Sequence, residues 1–250
     1  MGGGQDTWFS GAAGVVVYRG DNITIRGNFI HGNGFGIFTK STGSGAFLVE
    51  NLLVEANHIL DNGNPGSHFE HNVYSQGANP VYQFNRIGTV TAGSGGTPLK
   101  DRSTGPVVRY NWFDDGFLDL VAPEEHYESV KDRPDFHTAH VYGNVFRASV
   151  EGDLIGVVHF GDEHGHPKAG PLFFYHNTVY IRAGESSWRT IVFRVDNPIA
   201  VVSVVNNVLH RTGGRPDSPG LALMNVHGKA ILGVNWISEG WREGHEQDWA

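Results

Sequence analysis

A chain of 250 residues admits two average domains or one large all-β domain, and its 35 glycines and 11 prolines set a turn signal every few residues, which excludes long uninterrupted helices. The formal charge of −8 comes without any basic run, so a nucleic-acid partner is not expected. There is no cysteine for a thiolate metal site or disulfide, no run of 18 apolar residues for a membrane span, and no basic segment followed by an apolar one that reads as a signal peptide.

From the N-terminus onward, short β-branched and aromatic segments alternate with glycine and asparagine turns. Ile23-Thr24-Ile25 runs into Asn28-Phe29-Ile30, and the same arrangement of an apolar stretch followed by Asn-x-(aliphatic or Phe) returns at Asn57, Asn85, Asn111, Asn144, Asn177, Asn207 and Asn235. The successive separations are 29, 28, 26, 33, 33, 30 and 28 residues, a loose period that marks a repeat architecture running through the whole chain without a linker. A second strand-like piece follows each asparagine: Gly36-Ile37-Phe38, Asn72-Val73-Tyr74, Pro98-Leu99-Lys100, Leu118-Asp119-Leu120, Val157-Val158-His159-Phe160, Val192-Phe193-Arg194-Val195 and Leu221-Ala222-Leu223-Met224. No repeat has room for a crossover helix, so the βαβ route to a parallel sheet is closed. A chain that must lay strand on strand in parallel without helices does so by coiling as a solenoid, with the inward apolar residues of successive coils forming one core.

The repeated strand followed by Asn-x-(Ile/Val/Phe/Leu) resembles the right-handed parallel β-helix of the pectate-lyase-like kind over essentially the whole chain. The resemblance implies an all-β solenoid of about eight coils, one domain over 1–250, in which the asparagines stack at a turn, each side-chain amide bonding the next. A buried amide is tolerable only when its hydrogen bonds are made, so the asparagines are read as structural. The surplus length of 123–138, 161–170 and 211–220 is expected to project as loops, and residues 239–250, which break the repeat, to cap the last coil.

Strand alternation then locates candidate chemistry. With Val73, Leu99, Leu120, Val158 and Phe193 inward, Tyr74, Lys100, Asp119, His159 and Arg194 point outward and form one column, coils being about 4.8 Å apart. His71 leads into the column, and Arg102, two residues beyond Lys100, is expected on the same face. Leu99-Lys100-Asp101-Arg102-Ser103 ahead of Val107-Val108-Arg109-Tyr110-Asn111 is similar to the lysine-bearing strand of alginate lyases and chondroitinase B. In that family the lysine is the base and an arginine from a later coil assists the leaving group. The resemblance implies β-elimination in a uronic-acid polysaccharide, in a secreted or periplasmic setting, with Lys100 as base, Tyr74 or His71 as proton donor, Arg102 or Arg194 on the sugar carboxylate, and Asp119, His159 and Arg194 lining the binding face. The family's calcium ion has no carboxylate set that can be matched residue by residue, although Asp114, Asp115, Asp119, Asp162 and Glu163 are acids within reach.

Two rival readings use the same residues. Glycoside hydrolysis would pair Asp119 with Asp114, Asp115 or Glu163. A non-catalytic sugar-binding or adhesin-like solenoid would use Trp112, Trp188 and Tyr74 as platforms. Two histidine pairs, His68 with His71 and His164 with His166, offer a transition-metal alternative with Glu70 or Glu163.

Overall fold

The computed structural model describes residues 13–42, 44–115, 117–123, 128–163, 167–225 and 227–244. Its strands wind into three parallel sheets, of nine, eight and eight strands, with a separate two-stranded pairing of Gly20–Asp21 and Val49–Glu50. Each coil contributes one strand to each large sheet, and every strand pairs with its counterparts in the coils before and after. The nine-stranded sheet contains Phe35–Thr39, Val73–Ser75, Leu99–Asp101, Leu118–Val121, Leu154–Gly161, Thr190–Val195 and Leu221–Met224. These are the segments that follow each asparagine, and they carry the expected column. Among the described residues the only helix is the single turn Glu128–Lys131.

Two devices hold the coils in register. Inside, one continuous apolar cluster runs the length of the solenoid, with Phe113 and Phe146 stacked at 4.7 Å and Phe174 edge-on to Phe193. At the turn, the eight asparagines form a ladder: Asn57 donates from both backbone N–H and side-chain Nδ2 to Asn85 Oδ1, Asn85 does the same to Asn111, and so on to Asn235. Each interior side chain also donates to a carbonyl of the preceding coil, so the buried amide is satisfied on both sides. The residue before each of the first seven asparagines has positive φ, including Ala56, Phe84, Tyr110 and His176 at 53 to 56°. The turn geometry therefore repeats even where the side chain is ill suited to it.

A second, shorter ladder was not expected from the sequence. Asn33 donates to Asn62, and Asn62 to Asn72, which in turn donates to the carbonyls of Gly88 and Thr89. It fixes the entrance to Val73–Ser75 and with it His71. At the far end, Arg242–Gly244 pairs with Leu221–Met224 as a further strand of the long sheet, while 245–250 lie outside the described residues. Of the expected loops, 128–138 folds back so that Val130 and Phe136 pack with Ala122 and Leu48 as a small satellite core.

Candidate functional site

The long sheet brings Tyr74, Lys100, Asp119, His159 and Arg194 into one pairing register on successive strands, as the asparagine spacing implies. Phe38 precedes Tyr74 in the same row, and their rings stack at 5.4 Å. A groove of about 490 Å³ lies over this row, lined by His68, His71, Thr97, Lys100, Asp119, Asp153, His159, Glu163 and Arg194 among others. Beneath it the strand pairing shifts register between Ile155 and Val158, where Gly156 takes a φ of 100°. A β-carbon on Gly156 would stand 2.8 Å from the Arg194 Cβ, so glycine keeps that wall open.

His71 is strongly perturbed. Burial, and then the charge of Lys100, push its pKa down to about 3, so the imidazole is neutral. The Thr97 backbone N–H donates to Nδ1 at 2.8 Å, which leaves the ring proton on Nε2. A neutral imidazole with its proton so fixed gives a hydrogen bond from Nε2 but is no source of a proton, because losing it would create an imidazolate. Of the two proton donors expected, Tyr74 and His71, this arrangement suits His71 to hydrogen bonding. Its ring also stacks on Tyr74 at 5.7 Å.

His159 behaves oppositely. Burial alone would lower its pKa, but hydrogen bonds to Asp119 and Asp196 and the charges behind them raise it. Nε2 lies 2.7 Å from Asp196 Oδ2, and Nδ1 3.4 Å from Asp119 Oδ1. Burial works against ionisation of both carboxylates, yet the His159 hydrogen bond and charge hold each below its ordinary pKa. Arg194 closes the chain with two contacts to Asp196, at 3.0 and 3.1 Å.

The cationic end is built differently from the expectation. Arg102 lies beyond the last paired residue, Asp101, and its side chain is only 4% exposed. Instead of facing the groove beside Lys100, its guanidinium turns under it, donating to the Ala122 carbonyl and to Glu163 Oε2. Lys100 Nζ reaches the other oxygen of Glu163 at 2.6 Å. Burial opposes ionisation of Glu163, but Lys100 and Arg102 hold its carboxyl below the usual range. Asp101 points inward, where burial raises its pKa; it accepts from Tyr82 Oη at 2.6 Å near the buried Lys168, whose own pKa burial lowers to about 8.

Asp114 and Asp115 are not brought to this groove. They belong to the third sheet's edge, where Asp114 pairs with Arg86 and Arg147 and accepts from Trp112, and Asp115 accepts from the Ser149 N–H. Trp112 is thereby also separated from Tyr74. His164 and His166 lie outside the described residues. Among the acids the sequence reading passed over are Asp153, which lines the groove, and Asp196, which pairs with His159 and Arg194. Asp196 is two residues past Arg194 and so shares its face, a signal the alternation carried. Asp153, which accepts from the N–H groups of Trp188 and Arg189, had no such signal.

The only candidate metal group among the described residues is Asp119, His159 and Glu163, with one ligand atom of each within 4.8 Å of the others. The donor set does not fit calcium. It offers two carboxylates and a nitrogen where calcium takes six to eight oxygens. Glu163 is already paired with Lys100 and Arg102, and Asp119 with His159, whose pKa its contacts with Asp119 and Asp196 raise. The site's own cations stand where the ion would.

Residues 5–119 match the family described as right-handed β-helix region. The match covers a little under half of the chain, and the same parallel coils continue through the rest of the described residues. No curated protein and no solved structure matches it significantly.

Proposed function

We propose that the groove holds an acidic polysaccharide and cleaves it by β-elimination. The observation that carries this reading is the convergence of Lys100 and Arg102 on a single carboxylate, at one end of a row whose other end carries Arg194. Arg194 is three strands from Lys100, about 14 Å at the usual strand spacing, too far to hold the carboxylate of the same sugar. Arg102 is therefore assigned the carboxylate of the reacting sugar, and Arg194 that of a neighbouring one.

Lys100, freed of its counter-ion and having given its ammonium proton to solvent, takes as a neutral amine the proton from the carbon α to that carboxylate. The electron pair forms the ring double bond as the bond to the glycosidic oxygen breaks, and Tyr74 gives that oxygen its proton. The His71 Nε2–H supplies a fixed hydrogen bond to the developing charge, as a neutral imidazole can. Arg102 suits the carboxylate better than a lysine would, because it can donate in parallel from two nitrogens. Once Glu163 is displaced, Lys100 and Arg102 offer local positive charge against the overall −8.

Two-carboxylate hydrolysis is less well supported. It needs one carboxyl group kept protonated, whereas Asp119 and Glu163 are both held ionised. Incubation with alginate, polygalacturonate, hyaluronan and chondroitin, followed by ultraviolet absorbance of unsaturated ends, tests the proposal. No absorbance on any uronate polymer sinks the lyase reading.

A further inference from the structure

We infer that Glu163 is a built-in stand-in for the sugar carboxylate, occupying the Lys100–Arg102 subsite until an acidic ligand displaces it. The inference rests on the groove being a uronate site, and it adds a self-blocking contact to it.

Four observations point the same way. Glu163 follows Leu154–Gly161 and reaches back across the strand Leu118–Val121 to cations on and beside Leu99–Asp101, 61 and 63 residues earlier. One carboxylate oxygen meets each cation, so the side chain engages both positive charges of the subsite at once. The Glu163 carboxylate is held there against another carboxylate, since Asp119 has an oxygen within 4.8 Å and its charge opposes ionisation of Glu163. Such a contact persists only because the cations outweigh the repulsion, and a ligand carboxylate would feel the same attraction. Finally, the subsite is not filled to capacity. Arg102 Nε is buried without a hydrogen-bond partner among the described residues, while Nη1 is anchored on Ala122 and Nη2 on Glu163. A carboxylate free of a polypeptide tether could accept from Nε and Nη2 together, which Glu163, divided between Arg102 and Lys100, does not do.

The arrangement makes Glu163 an internal competitor. Apparent affinity for a carboxylate ligand is reduced by the fraction of time the side chain occupies the subsite. Ligand binding should thus release Lys100 from its counter-ion in the same step that seats the sugar, which joins acid recognition to exposure of the base.

The test uses galacturonate monomer, which has no glycosidic bond to eliminate, so binding is read apart from cleavage. Thermal melting of the wild-type protein, Glu163→Gln and Glu163→Ala is followed with galacturonate, acetate and glucose. The expected result is that galacturonate raises the melting temperature of both variants, with apparent binding about tenfold tighter than to wild type. Acetate should act in the same direction more weakly, and glucose not at all. If a variant is unfolded alone, recovery of a cooperative melt with galacturonate counts the same way. Galacturonate binding equal to or weaker than wild type, or no recovery of an unfolded variant, overturns the inference and leaves Glu163 as a loop brace. Cleavage of a uronate polymer alongside unimproved binding in the variants would break this inference alone. Improved binding with no polymer cleaved would break the lyase reading alone.

Discussion

Two histidines of one groove respond to the protein in opposite ways, and their effects on stability take opposite signs. His159 has a folded pKa above its unfolded value of about 6.5, so the folded state holds the extra proton. Its contribution is complete below pH 6.5 and is lost as pH rises through the raised pKa. His71 is depressed to about 3, so its contribution is complete above 6.5 and is lost as pH falls towards 3. Between them they predict a melting temperature that peaks near pH 6.5. His159→Gln should flatten the alkaline limb and His71→Gln the acid limb down to about pH 4.5, below which the depressed carboxylates add their own acid dependence. A melting temperature that rises steadily from pH 6.5 to 8 in the wild type would contradict the His159 assignment. Behind the groove, Tyr82→Phe removes the donor to a fully buried Asp101 and should cost about 1–3 kcal/mol in urea denaturation. Because Glu163 is already paired with Lys100 and Arg102, and Asp119 with His159, turnover of a uronate polymer should survive a chelator. Loss of activity restored by calcium would reverse that reading.

At the scale of the element, the asparagine ladder and the strands it registers do different work. Asn111 donates to Asn144, accepts twice from Asn85, and donates to the Tyr82 carbonyl, so Asn111→Ala orphans several buried groups together. The expected loss is about 3 kcal/mol, against less than about 1 kcal/mol for Asn235→Ala at the exposed end of the ladder. Equal urea midpoints for the two variants would show that the ladder is not cooperative with the core. The same elements explain what the sequence revealed. Asparagine spacing fixed which strand lies on which, and period-two alternation chose the outward residue, so the row from Tyr74 to Arg194 could be written down in advance. Arg102 escaped because alternation stops where pairing stops, at Asp101, and the next residue was free to turn beneath the sheet. Glu163 could be named only as one acid among several, because nothing local says that a loop residue reaches cations 61 and 63 positions away. The Asn33–Asn62–Asn72 ladder was hidden by unequal spacing, its second step being only 10 residues.

For the whole molecule, the solenoid acts as a ruler. It sets charged groups at intervals of one coil along a face, and the groove uses that regularity: neutral His71 with Lys100 and Arg102 at one end, the Asp119–His159–Asp196 chain in the middle, Arg194 beyond it. Every charge in the row is balanced by another side chain, which suits a site that exchanges internal partners for those of a polyanion. The fold supplies the spacing and the side chains would supply the chemistry. The most direct test is the rate at which unsaturated ends appear when wild type and Lys100→Ala act on the four uronate polymers. The account predicts product from at least one polymer with the wild type, and a loss of at least about 100-fold on removing Lys100. Turnover unchanged in Lys100→Ala but abolished by Asp119→Asn would contradict it.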